Sequence, residues 1–327
     1  MAWALTLVII QFKTKNAYNM NTLNKPIVIG ELMNNSYGRA QKAWINRDLD
    51  GYRHLAKLQT ELGAAVLTFN IDGTQKLRVT LAEMLEFLPS VIPAIQEVSD
   101  LPISFDNPAL PFHAEAIRHF DPSKSRGRPI LNSLSVTRHD VEGMIDLASA
   151  NNMDVIVMAS EGLADDGSHY AAKTAGDILE TALYFARLLR ERGDIDPTRI
   201  IIDPGLCPIA SDTAGGVNLC LDGIRALRSC PELKGVHISV GLSNFSIGAP
   251  REFRIPLERA FLSLALDAGL DYALANPEKN TTPLDSDDPI VHKLAQALAE
   301  GRCDPGEDPE DAGFRQLDAL MELWSDE

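Results

Sequence analysis

Cysteine is scarce in this 327-residue chain. The four present, Cys207, Cys220, Cys230 and Cys303, form no C-x-x-C pair and have no His-rich neighbourhood. They offer neither a zinc site nor a disulfide framework, and free thiols in a reducing, cytoplasmic compartment are the simple reading. Basic residues are short as well: 30 Lys and Arg stand against 46 Asp and Glu, a net charge of −16. With no long basic stripe, a nucleic-acid partner is disfavoured, because affinity for phosphate backbones rests on Lys and Arg. The apolar run at residues 2–10 is about half the roughly 20 residues a membrane-spanning helix needs, and no basic residue precedes it as in a signal peptide. No Gly/Pro/Ser-rich linker divides the chain. A hydrophobic content of 45% rules out a disordered or collagen-like polypeptide. The length suits two ordinary domains or one α/β barrel.

The acidity is concentrated at the end. From Asp285 to Glu327, 13 acids oppose Lys293, Arg302 and Arg315, so this stretch holds 10 of the 16 excess charges. A solvated surface is the plain interpretation. At the other end, Met20 stands just before the first well-patterned segment. Residues 1–19 therefore read as lying upstream of the natural start, or as a loose arm.

Between these ends, β-rich runs alternate with helical patterns. Strands are expected at residues 26–30, 65–70, 102–106, 129–132, 154–159, 200–203, 236–242 and 272–275. Val155-Ile156-Val157-Met158 and Ile200-Ile201-Ile202 are continuous apolar runs, as in strands buried on both faces. Helical spacing marks residues 53–62, 80–98, 139–150, 174–192, 219–228, 256–268 and 289–299. Thr80 and Glu83 have capping-box spacing, and Gly193 and Gly269 sit where left-handed helix caps favour glycine. Eight strands alternating with helices predict a (β/α)₈ TIM barrel at residues 26–301, with a doubly wound sheet as the alternative. Residues 1–25 form an N-terminal arm, and residues 302–327 an acidic helical extension. In the extension, Phe314, Leu317, Leu320, Met321 and Trp324 fall on one helical stripe. Such a stripe needs covering, by the barrel or by a partner.

Barrel active sites lie at the C-terminal strand ends. The polar residues expected there are Glu31 and Asn34, Asn70 and Asp72, Asp106 and Asn107, Asn132 and Ser133, Ser160 and Glu161, Asp203, Ser243 and Asn244, and Asn276. Histidine and lysine are missing from these ends. The chain also has no G-x-S-x-G elbow, no H-E-x-x-H and no G-x-x-x-x-G-K-[ST] loop. Amides and carboxylates without a nucleophile suit a flat, neutral heterocycle with several N–H donors and a carbonyl. Taken singly, each of these residues also reads as a turn former or helix cap.

Ile27-Val28-Ile29-Gly30-Glu31-Leu32-Met33-Asn34 resembles the opening of the pterin-binding methyltransferases. Ile103-Ser104-Phe105-Asp106, Ile130-Leu131-Asn132-Ser133, Ile200-Ile201-Ile202-Asp203-Pro204 and Val240-Gly241-Leu242-Ser243-Asn244 follow in that family's order. The likeness runs from about Pro26 to Pro277 and is greatest to the methyltetrahydrofolate:corrinoid methyltransferases, including those of bacterial demethylase systems.

This resemblance implies a barrel that holds the pterin of tetrahydrofolate or 5-methyltetrahydrofolate in its mouth, a separate corrinoid protein docking over it, and a homodimer. It implies no metal bound by this chain. Asp106 and Asp203 would hold the ring N–H groups, with Asn132, Asn70 and Glu31 around them, and Asn244 would bond N5. Two positions depart from the pattern. Thr68-Phe69-Asn70 keeps only the second residue of the family's Asp-x-Asn, and Ile247 stands where a polar residue can occur. Dihydropteroate synthases share the fold and carry a Ser-Arg-Lys-type segment where this chain has Ser243-Asn244-Phe245. A synthase-like transferase and a non-catalytic pterin-binding subunit are the other two readings.

Overall fold

A computed structural model describes residues 25–325. The arm at residues 1–19 lies outside them. The chain runs β1 (Ile27–Asn34), α1 (Gly38–Ile45), α2 (Leu49–Glu61), β2 (Val66–Asn70), α3 (Leu81–Gln96), β3 (Ile103–Asp106), α4 (Leu110–His119), β4 (Ile130–Leu134), α5 (Val141–Ala150) and β5 (Asp154–Met158). A hairpin of β6 (Glu161–Leu163) and β7 (His169–Ala171) follows. Then come α6 (Ala175–Gly193), β8 (Ile200–Asp203), α7 (Gly216–Ser229), β9 (His237–Ile238), α8 (Arg254–Ala268), β10 (Tyr272–Ala275), α9 (Pro289–Glu300) and α10 (Pro309–Ser325).

Eight strands pair in parallel in the order β10-β1-β2-β3-β4-β5-β8-β9. A bridge between Gly241 and Leu274 closes the ring, with Leu274 N donating to Val240 O at 2.9 Å. This is the expected (β/α)₈ barrel. Among the described residues, no helix is long and apolar enough to cross a membrane.

Alternate strand residues face opposite ways. One set, including Leu67, Phe69, Ile103, Phe105, Val155 and Val157, is buried beneath the helices. The other closes on itself inside the barrel, where Ile29, Val66, Ile130, Ile156 and Ile201 pack with Tyr272 and Leu274. Two residues further along, the same inner face carries Glu31, Asn132, Met158 and Asp203. On β2 and β3 the inner positions Thr68 and Ser104 lead to Asn70 and Asp106. An apolar plug thus underlies a polar mouth.

Several elements differ from expectation. Helix α2 begins a turn earlier because Asp48 accepts from Gly51 N at 3.0 Å. Asp212 extends α7 in the same way, accepting from Gly216 N at 2.7 Å and Val217 N at 3.0 Å. The last turn of α6 is capped by Asp194 in the left-handed region (φ 48°), not by Gly193. Gly193 is buried, and a Cβ there would meet Ile145 Cγ2 at 3.0 Å, so it is small for packing. Gly269 is the left-handed cap expected of it (φ 114°), and Thr80 and Glu83 form the expected capping box. Strand β9 is only two residues long, because the chain leaves the ladder for a helical turn at Leu242–Asn244.

Only part of the C-terminal stripe packs, Leu320 fully and Leu317 partly. Helix α10 buries Ala312, Gly313, Gln316 and Leu320, with Gln316 Nε2 donating to Asp212 Oδ2 at 3.1 Å. Phe314 and Met321 are 55% and 58% exposed, Leu317 is half-buried, and the side chain of Trp324 lies outside the described residues. Gly313 sets this choice, since any side chain there would collide with the backbone of Thr213. Truncating the fully buried Leu320 to Ala is expected to destabilise the protein by about 2–5 kcal/mol. A loss under about 0.5 kcal/mol in urea unfolding would mean that α10 does not dock in solution.

Candidate functional site

The C-terminal ends of the barrel strands bring three groups of residues to the mouth. The first surrounds β2 and β3. Burial pushes the Asp106 carboxyl up to about 6. A hydrogen bond from Asn70 and the positive charge of Arg138 hold it down, whereas nearby Asp72 pushes it further up. Asp72 accepts from Asn107 Nδ2, and its own N–H donates to Asn70 Oδ1 at 3.0 Å. Asp106 sits in register with Asn132, which is 7% exposed, and the peptide bond from Asn132 to Ser133 is cis. Arg138 reaches the Ser133 carbonyl through Nε at 3.1 Å.

The second group is Asp203 and the loop after it. Burial raises this carboxyl to about 7, and the Gly205 N–H at 2.8 Å is the one hydrogen bond that opposes the rise. Gly205 has φ 84°, and a Cβ there would lie 2.6 Å from Ser160 Cβ, so only glycine lets the loop lie against β5. Asp203 lines a cavity of about 350 Å³ together with Ser160, Leu206, Cys207, Gly241 and Asn244. Burial and Asp212 push the Cys207 thiol up to about 12, so it is protonated at neutral pH and no nucleophile.

The third group joins β1 to the turn after β9, to α8 and to the loop after β10. Glu31 is 6% exposed and accepts from Tyr37 Oη at 2.5 Å and from Ser243 Oγ. Burial raises it to about 7; the two hydroxyls oppose this, and Glu258 adds to it. Buried Glu258 accepts from Ser246 Oγ and from Asn280 Nδ2 at 2.7 Å. Asn280 reaches Ser243 Oγ at 3.4 Å, which joins the two carboxyls through side chains.

Asn244 lies beside this network, on the turn Leu242–Asn244. Leu242 and Phe245 are fully buried on either side of it, and Phe245 stacks on Phe261 with centroids 4.6 Å apart. The exposed Asn244 amide is thereby presented on a fixed turn. Its Nδ2 would lie 2.9 Å from a Cβ on Gly241, so glycine leaves the room it occupies. The side chain makes no hydrogen bond among the described residues and does not cap the turn.

All six residues singled out from sequence, Glu31, Asn70, Asp106, Asn132, Asp203 and Asn244, therefore lie at one mouth. Asp203 and Asn244 share a cavity; Asn70 bonds Asp106; Glu31 joins the Asn244 turn through Ser243. Sequence reasoning missed Tyr37, Arg138, Glu258 and Asn280, which come from helices and loops and not from strand ends. His113 was missed too: it is buried below the first group with Nε2 2.8 Å from Asn107 O, and burial depresses it to about 4. Among the described residues, no group of three or more His, Cys, Asp or Glu is placed to hold a metal ion.

The chain matches the family model described as pterin binding enzyme over residues 31–276. It is 25% identical over 297 residues to the methylcorrinoid:tetrahydrofolate methyltransferase of Eubacterium limosum, covering 85% of this chain and 98% of that protein. It is 26% identical over 310 residues to the methionine synthase of Mycobacterium leprae (strain TN), covering 91% of this chain and 23% of that one. Among solved structures, dihydropteroate synthase from Vibrio fischeri ES114 superposes with a TM-score of 0.56 at 15% identity, covering 93% of this chain and 95% of the other. The Coxiella burnetii dihydropteroate synthase in complex with pteroic acid gives 0.53 at 20% identity, covering 84% and 92%. These structural likenesses are of fold, while the match at residues 31–276 runs from Glu31 through Asp203 and Asn244 to Asn276, and on it the chain belongs to the family of pterin-binding enzymes.

Proposed function

We propose that this protein moves a methyl group between a corrinoid carried by a separate protein and N5 of tetrahydrofolate, forming 5-methyltetrahydrofolate in the direction of a demethylation pathway. One observation carries the reading: the Asn244 amide, which makes no side-chain hydrogen bond among the described residues, stands on a pinned turn and shares a cavity with Asp203. Asp203 and Asp106 accept from the N–H edge of the pterin, with Asn132 and Asn70 beside them. Asn244 faces N5, where its amide turns to donate or accept. When the corrinoid protein is docked, its cobalt supplies or accepts the methyl group. This chain contributes position and electrostatics.

In the forward direction N5 attacks the methyl carbon. The N5–C bond forms, the cobalt–carbon bond breaks with its electron pair left on cobalt, and the N5 proton departs. Glu31, raised to about 7 and hydrogen-bonded by Ser243 beside Asn244, is assigned to take this proton. In reverse, the same path protonates N5 and turns a poor amine leaving group into a good one.

A dihydropteroate synthase-like reaction is the alternative, because the structural likenesses are to such enzymes. Against it, Ser243-Asn244-Phe245 offers no cation for a pyrophosphate leaving group. The two are separated by supplying both substrate pairs. Methylcobalamin with tetrahydrofolate is expected to give 5-methyltetrahydrofolate, and dihydropterin pyrophosphate with p-aminobenzoate is expected to give no dihydropteroate. The opposite outcome assigns the synthase reaction, and pterin binding with neither product assigns a non-catalytic subunit. A homodimer belongs to the same proposal and rests on the resemblance, since Leu320 of the C-terminal stripe is covered by the chain's own barrel.

A further inference from the structure

Beside the cavity shared by Asp203 and Asn244 lies a second, of about 310 Å³. The two adjoin: Leu219 lines both, and the chain crosses from one to the other at Ala172 and Lys173 and again at Gly216 and Gly215. Their walls differ. The first carries Leu206, Leu219 and Ala172 beside its carboxylate; the second carries Lys173 and Arg302, with Asp222 between two guanidinium groups.

Two cations at one opening are notable in a chain of net charge −16. Lys173 is exposed, and the neighbouring Asp177 already accepts through Oδ2 from the backbone of Lys173 and Thr174 at 2.8 and 2.9 Å. Arg302 donates through Nη1 and Nη2 to Asp222 at 2.9 and 3.0 Å. Asp222 also accepts from Arg225 Nη1 at 2.9 Å, so one carboxylate faces two guanidinium groups. Arg302 keeps three of its five N–H donors for another acceptor. The helix ends add nothing, because Thr174 caps the first turn of α6 and Asp212 that of α7. The positive side chains are the feature.

A neutral pterin ring needs no cation, but the far end of a folate does. We infer that Lys173 and Arg302 bind the carboxylates of the glutamate tail of folate, including further γ-linked glutamates. The p-aminobenzoyl group then lies along Leu206 and Leu219 on the way out. This rests on the tetrahydrofolate reading and extends it to the tail, which the pterin contacts do not address. The two adjoining cavities together hold what the ligand requires: a hydrogen-bonding carboxylate and amide with apolar side chains in the first, and cations in the second.

The test is calorimetric titration of the full chain with three ligands: 6-methyltetrahydropterin, which has no tail, tetrahydrofolate monoglutamate and tetrahydrofolate triglutamate. The wild-type protein is expected to bind triglutamate best and the tail-less pterin worst. Lys173→Glu should weaken the monoglutamate about threefold and the triglutamate about tenfold, and leave the tail-less pterin unchanged. Arg302→Gln should act in the same direction, and raising salt from about 50 to about 300 mM should shrink the advantage of the tail. Unchanged affinities for both folates in both variants, with the tail-less pterin still bound, would overturn the tail site and leave the pterin reading standing. No binding of any of the three ligands by the wild type would remove the folate reading and this inference with it.

Discussion

Asp203→Asn is expected to weaken pterin binding about tenfold or more and, at the same time, to make the empty protein more stable at pH 8. The carboxyl titrates near 7 in the folded protein against an ordinary 3.8 because burial disfavours its charge. Below 3.8 it is protonated in both the folded and the unfolded chain and contributes nothing. Between 3.8 and 7 the folded state holds a proton that the unfolded state has released, so stability falls as pH rises. Above 7 the loss is constant, and removing the charge recovers about 1–3 kcal/mol. The proposed pterin ligand has the opposite requirement. Pterin N–H groups bond the ionised form, and a charge-assisted hydrogen bond is worth roughly 1.5–3 kcal/mol, so the variant should bind about tenfold more weakly or worse. Wild-type affinity should likewise decline as pH falls through 7 and further through 6, where Asp106 titrates. Calorimetry and thermal unfolding on the same preparations test both halves. An Asp203→Asn protein that is less stable and binds normally would make the residue structural.

Asn244→Ala should slow methyl transfer by about 10²–10³ while pterin affinity changes little. Its proposed partner, N5, changes its bonding during the reaction, and the ring edge assigned to the aspartates does not. An interaction that strengthens only in the transition state lowers the barrier without tightening ground-state binding. The competing view is that Asn244 merely caps its turn, and the geometry already counts against it. The amide makes no hydrogen bond to the turn, which is held by buried Leu242 and Phe245. Fold and stability should therefore survive the substitution. Single-turnover transfer from methylcobalamin, with affinity measured in parallel, decides the matter; a full-speed variant assigns N5 to another residue.

The barrel was legible because strands buried on both faces write themselves as apolar runs. Ile200–Asp203 and Tyr272–Ala275 begin and end where the sequence places them. The rim was legible for a related reason: period two carries Ile29 to Glu31 and Ile201 to Asp203 on the inner face. What escaped lacks such a period. Helix α4 opens with Leu110-Pro111 and no side-chain cap, and α1 is eight residues long without a cap. The hairpin β6–β7 has three residues per strand. Glu258 and Asn280 complete a network with Glu31 across more than 200 positions of sequence, through contacts that only the closed barrel creates. The C-terminal stripe was right for Leu320 and Leu317 and wrong for the exposed Phe314 and Met321, because hydrophobicity alone does not choose a helix face. Gly313, with no side chain to hold the helix off Thr213, does.

The most direct test of the account is an anaerobic mixture of this protein, tetrahydrofolate and methylcobalamin, followed by absorbance and by quenched product analysis. The account predicts that 5-methyltetrahydrofolate and cob(I)alamin form in equal amounts, with one proton released per methyl group transferred. Tetrahydrofolate bound at the mouth with the methyl-cobalt spectrum unchanged, in the presence of free methylcobalamin and of corrinoid proteins from demethylase systems alike, would contradict it.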